Sequence, residues 1–452
     1  MKIIVAGCGK IGTTIISQLA AEGHDVVALD HNPSVLAEIT NIYDVMGLCG
    51  NCTNVEILEE AGAESARLFV AATGSDELNM LACFLARRMG AHHSIARIRN
   101  PEYNERGLRF VREQLNLSMS INPDMLAAQE LFNILKLPSA VKIERFSGRN
   151  FEMIEMMLKP NSILNGMTVI EMRNKYKGKY LICVVQRGDD VYIPDGNFIL
   201  HSGDRIGLTA SSAEIQRLLR SLGVMQKQAR SVMILGGSRT AVYLARLLIN
   251  IGVSVKIIEQ DAAVCRDLSE TLPKAVIVNG DGAQQELLLE EGLRSTDAFI
   301  SLTGMDEENI LISIFAASQN VPTVISKVNR DELASMAGRL GIDCIVSPRK
   351  IVSDVLVRYA RALQNSVGSN IETLYNLMDG KAEALEFNVK TESPLLGVPL
   401  KALSLKQNVL IAGIIRERKT IIPDGDDVIQ LGDRVVVLST NQHFQDFTDI
   451  IK

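Results

Sequence analysis

The 452-residue chain has no tryptophan, and aromatic residues make up only 4% of it. That scarcity disfavours stacking grooves for single-stranded nucleic acid, which offer aromatic faces to successive bases. A basic surplus is also missing: 47 Lys and Arg stand against 53 Asp and Glu, for a net charge of −6. Nothing in that balance neutralises a phosphate backbone, so a nucleic-acid binder is disfavoured. Small anionic ligands need only local charge and stay open. No apolar run reaches the ~20 residues of a membrane-spanning helix. Strand-forming residues begin at Lys2 with no signal or transit segment before them, so the expectation is a cytoplasmic protein.

A second cysteine pair is also lacking. The seven cysteines are odd in number and scattered through apolar stretches, as expected of reduced thiols. Cys49-x-x-Cys52 stands alone, and Asn279 and Gly282 occupy the matching places downstream. A thioredoxin-type pair needs a helix N-terminus, and a zinc site needs more ligands, so neither role is expected. His24, His31, His92, His93, His201 and His443 have no nucleophile or carboxylate beside them in a catalytic motif. No catalytic residue is assigned, and the chain is not expected to be an enzyme.

What is present is a repeat of about 230 residues. Ile4-Val5-Ala6-Gly7-Cys8-Gly9-Lys10-Ile11-Gly12 returns as Met233-Ile234-Leu235-Gly236-Gly237-Ser238-Arg239-Thr240-Ala241. Asp30 returns as Glu259, Gly50 as Gly280, and Thr73-Gly74 as Thr303-Gly304. Asp76-Glu77-x-Asn79 returns as Asp306-Glu307-x-Asn309, Arg97 as Lys327, and Pro194-Asp195-Gly196 as Pro423-Asp424-Gly425. A period this long is a duplicated multidomain unit rather than a solenoid. The expected order is A-B-A′-B′, with A at 1–122, B at 141–226, A′ at 230–348 and B′ at 371–452. A linker, Gln226–Arg230, divides the halves.

Unit A alternates short apolar runs (residues 2–7, 25–30, 45–49, 68–72 and 94–98) with helical stretches, notably 10–21 and 76–89. That alternation predicts a doubly wound parallel α/β sheet with right-handed crossovers. Pro123 opens a connecting helix over 124–135 that Pro138 stops, and Pro348 opens its counterpart over 350–363. Unit B has short strands at 180–185, 191–193 and 204–208, with helices at 168–175 and 212–222. It predicts a small α+β domain, repeated as B′.

Gly7-x-Gly9-x-x-Gly12 follows a strand and opens a helix, and Asp30 ends the next strand: the dinucleotide fingerprint in its full context. Gly7 permits the tight turn, Gly9 lets the backbone approach a pyrophosphate, and Gly12 lets the helix pack closely. Asp30 can accept from both ribose hydroxyls and would repel a 2′-phosphate, which favours NAD over NADP. In the second copy the Ser238 side chain stands where a pyrophosphate would approach, while Glu259 keeps the acid and Arg239 keeps the charge of Lys10. Two readings stay open there, a working adenine-nucleotide site and a vestige kept for packing. Thr73 and Gly74 close the fourth strand, where such sheets open their ligand crevice. Asp76 is expected to cap the following helix. Arg97 is either a phosphate contact or a surface ion pair.

These residues, with Gly50-x-x-Thr53 and Gly203-Asp204, resemble the RCK (KTN) domain family, whose N-terminal lobe is Rossmann-like and whose C-terminal lobe is a small α+β domain. Two complete units in one chain resemble the tandem-RCK regulatory subunits of bacterial Trk potassium uptake systems. The resemblance implies NAD(H) and ATP or ADP in the N-terminal lobes. It implies contacts from Gly7, Cys8, Gly9, Lys10, Ile11, Gly12, Asp30, Thr73, Gly74 and Arg97. With less support from the motif it extends to Gly236, Gly237, Ser238, Arg239, Thr240, Glu259, Thr303 and Gly304. It also implies a homo-oligomeric ring, a tetramer or a dimer of dimers, docked under a membrane potassium channel or transporter of TrkH or TrkG type. Asn51, where the family often has Asp and the second copy has Asp281, departs from the pattern. An NAD-dependent dehydrogenase would explain the first fingerprint but neither the repeat nor the B units. A regulator of another cation transporter is the remaining alternative.

Overall fold

A computed structural model describes the chain apart from residues 102, 104, 137–141, 147–150, 224–228, 341, 343, 366–370, 418, 441–443 and 445. Pro138, His443 and most of the expected linker at 226–230 lie outside the described residues.

In the first half, β1 (Lys2–Ala6), β2 (Asp25–Asp30), β3 (Met46–Cys49), β4 (Leu68–Ala71), β5 (Ser94–Arg97) and β6 (Met119–Ile121) form one sheet ordered β3-β2-β1-β4-β5-β6. Every neighbouring pair is parallel. The order reverses between β2 and β4, on either side of β1, which is the switch point where doubly wound sheets open a ligand crevice. Ile3, Ile4, Val5 and Ala6 of β1 are all fully buried, as expected of a strand covered on both faces. The helices are α1 (Lys10–Ala21), α2 (Pro33–Ile42), α3 (Val55–Glu60), α4 (Asp76–Met89), α5 (Glu105–Gln114) and α6 (Pro123–Lys136). Local signals explain their ends. Asn32 caps α2 by accepting from the Ser34 N–H, with Pro33 at the first helical position. The α4 helix has Asp76 and Glu77 in its first turn, Arg87 and Arg88 in its last, and Gly90 at its C-cap with φ 123°.

The first C-terminal lobe contains β7 (Lys142–Arg145), β8 (Glu152–Met157), α7 (Val169–Lys175), β9 (Tyr180–Arg187), β10 (Asp190–Tyr192), β11 (Arg205–Ala210) and α8 (Ser212–Ser221). Its antiparallel sheet runs β7-β8-β11-β9-β10. The sequence reading missed β8 because Glu152 and Glu155 interrupt its apolar pattern. Both are buried in the structure, and Glu155 pairs with Arg205 at 2.5 Å.

The second half repeats both sheets. Strands β12 (Ser231–Leu235), β13 (Ser254–Glu259), β14 (Val276–Asn279), β15 (Ala298–Ser301), β16 (Thr323–Lys327) and β17 (Cys344–Val346) are ordered β14-β13-β12-β15-β16-β17. Helices α9 (Arg239–Asn250), α10 (Ala262–Thr271), α11 (Gln285–Glu290), α12 (Asp306–Ser318), α13 (Asp331–Arg339) and α14 (Pro348–Asn365) surround or follow them. The last lobe has β18 (Ile371–Leu377), β19 (Ala382–Asn388), β20 (Val409–Arg416), β21 (Lys419–Ile421) and β22 (Arg434–Thr440), in the order β18-β19-β22-β20-β21.

Like lobes associate with like. One compact unit comprises residues 1–131 and 231–360, the two Rossmann-like sheets; the other comprises 132–230 and 361–452, the two small lobes. In the second unit each lobe closes a turn with the same device. Arg187 donates from Nε and a terminal nitrogen to the buried Asp204, each at 2.8 Å, and Arg416 does the same to Asp433.

Candidate functional site

The glycine loop behaves as its spacing suggests. Gly7 has φ +94°, and a Cβ there would lie 2.6 Å from the Thr73 backbone nitrogen. A Cβ on Gly12 would lie 1.9 Å from the Gly7 carbonyl oxygen, so the helix packs against the loop at a distance only glycine allows. A Cβ on Gly9 would meet nothing within 4 Å. Gly9 is also the N-cap of α1 and offers no side-chain hydrogen bond to the first turn. The loop is therefore closed on its protein side, open on its outer side, and leaves helix-start N–H groups to an anion.

That open side faces a cavity of about 1060 Å³. Gly7, Gly9, Lys10, Ile11, Asp30, Thr73, Gly74 and Arg97 line it; Cys8 and Gly12 do not. Cys8 is buried, and desolvation followed by the nearby Asp30 charge pushes its thiol up to about 12. Asp30, the expected acceptor for both ribose hydroxyls, also has partners within the protein. Its two carboxylate oxygens accept from the Cys8 N–H at 2.7 Å and the Asn32 N–H at 2.9 Å. It pins the glycine loop to β2, and its further lone pairs remain for a ligand. Cys49 is exposed and Cys52 buried, both as free thiols.

Asp76 does not cap α4. Ser75 does, accepting from the Leu78 N–H at 3.2 Å. Asp76 instead accepts from the backbone N–H groups of Arg99 and Asn100 at 2.8 and 2.7 Å, holding the turn after β5. Asn79, fully buried, ties the crevice together. Its Oδ1 accepts from the Thr73 N–H at 2.8 Å and hydroxyl at 2.7 Å, and its Nδ2 donates to the Arg97 carbonyl at 2.9 Å. Arg97 donates to the Thr73 carbonyl, and burial lowers its pKa to about 10, helped by the like charge of Arg99. It is a half-buried cavity residue, not a surface ion pair.

The second loop differs. Gly236 keeps φ +94°, but Ser238 turns back as the N-cap of α9 and accepts from the Ala241 N–H at 3.4 Å. Glu259 repeats the pin, accepting from the Gly237 N–H at 2.7 Å and the Asp261 N–H at 2.8 Å. The cavity here is about 370 Å³, lined by Gly236, Gly237, Ser238, Glu259, Thr303 and Gly304 among others. Glu308, at the place of Leu78, enters it and accepts from the Thr303 hydroxyl at 2.9 Å. Its described lining holds three carboxylates, Glu259, Asp281 and Glu308, and no Lys, Arg or His. Arg239 lines neither cavity, so the charge it shares with Lys10 in sequence is not shared in position. Thr240 lines the first cavity and donates to Asp124 at 3.0 Å.

The sequence reading missed the far wall of the first cavity: Arg99, Asp124, Lys327, Asn329, Pro348 and Arg349. A signal was present. Pro123-Asp124 and Pro348-Arg349 open equivalent helices with opposite charges at the same place.

Residues 3–112 and 232–348 match the TrkA-N domain, and residues 153–223 and 384–452 match the TrkA-C domain. The chain belongs to the TrkA family. It is 30% identical to a "Trk system potassium uptake protein TrkA homolog" of Archaeoglobus fulgidus, with 100% of each chain covered. To the Trk system potassium uptake protein TrkA of Haemophilus influenzae it is 29% identical, covering 97% of this chain and 95% of that one. Among solved structures, the GsuK RCK domain superposes with a TM-score of 0.64 at 17% identity, covering 97% of this chain and 92% of that chain. The GsuK channel bound to NAD superposes with a TM-score of 0.63 at 16% identity, covering 97% and 77%. The duplicated Rossmann-like and small α+β lobes are thus the RCK fold, in a TrkA-family potassium uptake protein with a regulatory role. No described helix is long and apolar enough to cross a membrane.

Proposed function

We propose that the chain is a nucleotide-sensing regulatory subunit whose first cleft takes NAD(H) and whose occupancy gates a membrane potassium channel or transporter. The observation that carries this reading is the open outer face of Gly9, above an uncapped helix start, at the mouth of a cleft lined by Lys10, Arg97 and Arg99. The loop N–H groups and Lys10 would hold the pyrophosphate, Asp30 the adenosine ribose, and Thr73 and Gly74 the sugar and phosphates beyond the switch point. The family supports the potassium partner, and the GsuK channel bound to NAD supports the ligand. Phosphate-bearing adenine nucleotides, ADP and ATP included, belong to this same cleft. The carboxylate-lined second cavity disfavours them, and its loop serves packing. The chain acts as a peripheral subunit on the cytoplasmic face, in a ring of copies. A ligand moves such an assembly only by its difference in affinity between two ring shapes.

Gly9→Ala tests the reading cleanly, because the added methyl meets no protein atom. Calorimetric titration with NADH is expected to weaken at least tenfold while the unliganded Tm stays within a few degrees. Potassium uptake by cells that depend on the chain is expected to lose its response to the NADH/NAD ratio. NADH binding equal to wild type, or no binding by wild type, overturns the reading.

A further inference from the structure

The first cleft is not built by the first half alone. Lys327, at the end of β16, and Pro348 and Arg349, at the start of α14, line it from the second half. The crossover helix α14 lies against the first half, where Ser353 donates to the Gln18 side chain of α1 at 2.9 Å. The equivalent helix α6 lies against the second half, where Asp124 accepts from Thr240 and Asn122 donates to the Tyr243 hydroxyl at 3.1 Å. Each half therefore presents the start of its crossover helix to the other half's glycine loop. The exchange is symmetric in position and opposite in charge. Asp124 meets Thr240 at the start of α9; Arg349 enters the first cavity, whose lining Asp124 shares.

Helix electrostatics sharpen the contrast. An acid in the first turn of α6 suits the positive end of the helix dipole. Arg349 and Lys350 in the first turn of α14 oppose it. Burial lowers the pKa of Lys327, and Arg349 adds to that by its like charge, while Asp124 and Asp306 act the other way. Arg97 and Arg99 each have a buried Nε without a hydrogen-bond partner. Lys10, Arg97 and Arg99 of the first half and Lys327 and Arg349 of the second thus line one cavity with Gly9, against two carboxylates there, Asp30 and Asp124, an excess of positive charge that an anion would relieve.

We infer that Lys327 and Arg349 of the second half bind the phosphates of the nucleotide seated on the first half's glycine loop, so that one bound dinucleotide links the two Rossmann-like domains. The inference rests on the first cleft being the nucleotide site, and names the residues that read the phosphates there. Arg349 supplies a planar donor fork and Lys327 a point charge. The second cleft, lined by Glu259, Asp281 and Glu308 with no Lys, Arg or His among its described lining, has no counterpart.

The test is calorimetric titration of the full chain with NADH and, by competition, with adenosine, which has no phosphate. Wild type is compared with Arg349→Ala, Lys327→Ala and Arg349→Lys. NADH affinity is expected to fall about tenfold or more in each alanine variant, and less in Arg349→Lys. Adenosine affinity and the unliganded Tm are expected to stay at wild-type values, which a merely structural role would not allow. NADH affinity unchanged in both alanine variants, with wild type binding normally, overturns this inference and leaves the nucleotide site standing. Equal losses for NADH and adenosine also overturn it. No NADH binding by wild type overturns the site and the inference together.

Discussion

Asn79, on α4, holds two strand ends of the first cleft together. It is buried, and one carboxamide joins the ends of β4 and β5 through Thr73 and Arg97. Asn309 repeats the network, accepting from the Thr303 N–H and hydroxyl, each at 2.9 Å, and donating to the Lys327 carbonyl at 3.0 Å. Asn79→Leu strands a backbone N–H and a carbonyl in a buried place, at ~1–3 kcal/mol each. Urea unfolding is expected to show a loss of ~2–5 kcal/mol, and a loss below ~1 kcal/mol contradicts the network. His93 offers a second check. Its Nδ1 lies 3.2 Å from the Tyr359 hydroxyl on α14. Burial holds its pKa below the ordinary 6.5, and the charges of Arg67, Arg87 and His92 add to that. The folded state thus favours neutral imidazole. Its contribution is fully present above pH 6.5 and is lost as pH falls below that value through the folded pKa. Stability measured from pH 7.5 down to pH 5 is expected to fall less steeply in His93→Gln than in wild type.

At the scale of elements, the two glycine loops differ where helix meets strand. Gly12→Ala sets a methyl against the Gly7 carbonyl and pushes α1 off the sheet, at ~1–3 kcal/mol. The second half already carries buried Ala241 at that place and keeps its fold. Gly12→Ala is therefore expected to lower the Tm and NADH affinity together, whereas Gly9→Ala lowers affinity alone. The elements themselves were largely legible. Continuous apolar strands, proline-opened helices and the repeat place β1 to β5, α1, α4, α6 and α14 within a residue or two. What the sequence hid depends on tertiary partners. Strand β8 reads as polar until Arg205 is known to meet Glu155. Asp76 reads as a cap until the turn after β5 is seen to need an acceptor. The near wall of the cleft was written in one local motif. Its far wall comes from Arg99 and Asp124, about a hundred positions on, and from Lys327, Asn329, Pro348 and Arg349 in the other half, which no local spacing joins.

At the scale of the whole molecule, duplication has let like lobes build shared structure. The small lobes do not merely touch. Phe151, Met153, Cys183 and Val184 of the first lie in one buried cluster with Tyr375, Leu377, Met378, Ala412 and Val436 of the second. The Thr209 hydroxyl donates to the Ala412 carbonyl at 2.9 Å, and the Met378 N–H donates to the Glu155 carboxylate at 3.2 Å. Phe151 fits over Gly413 so closely that a Cβ there would lie 2.1 Å from its ring. A shared core makes the two lobes one cooperative unit, because neither can open without exposing the other's apolar face. Phe151→Ala should therefore destabilise both lobes, by ~3–5 kcal/mol for a fully buried phenylalanine. Gly413→Val should do so from the other side by forcing the ring out. The measurement is native-state hydrogen exchange. Protection is expected to fall in β9 of the first lobe and in β20 and β22 of the second in either variant. A loss confined to the mutated lobe would mean that the lobes fold separately and only rest on one another.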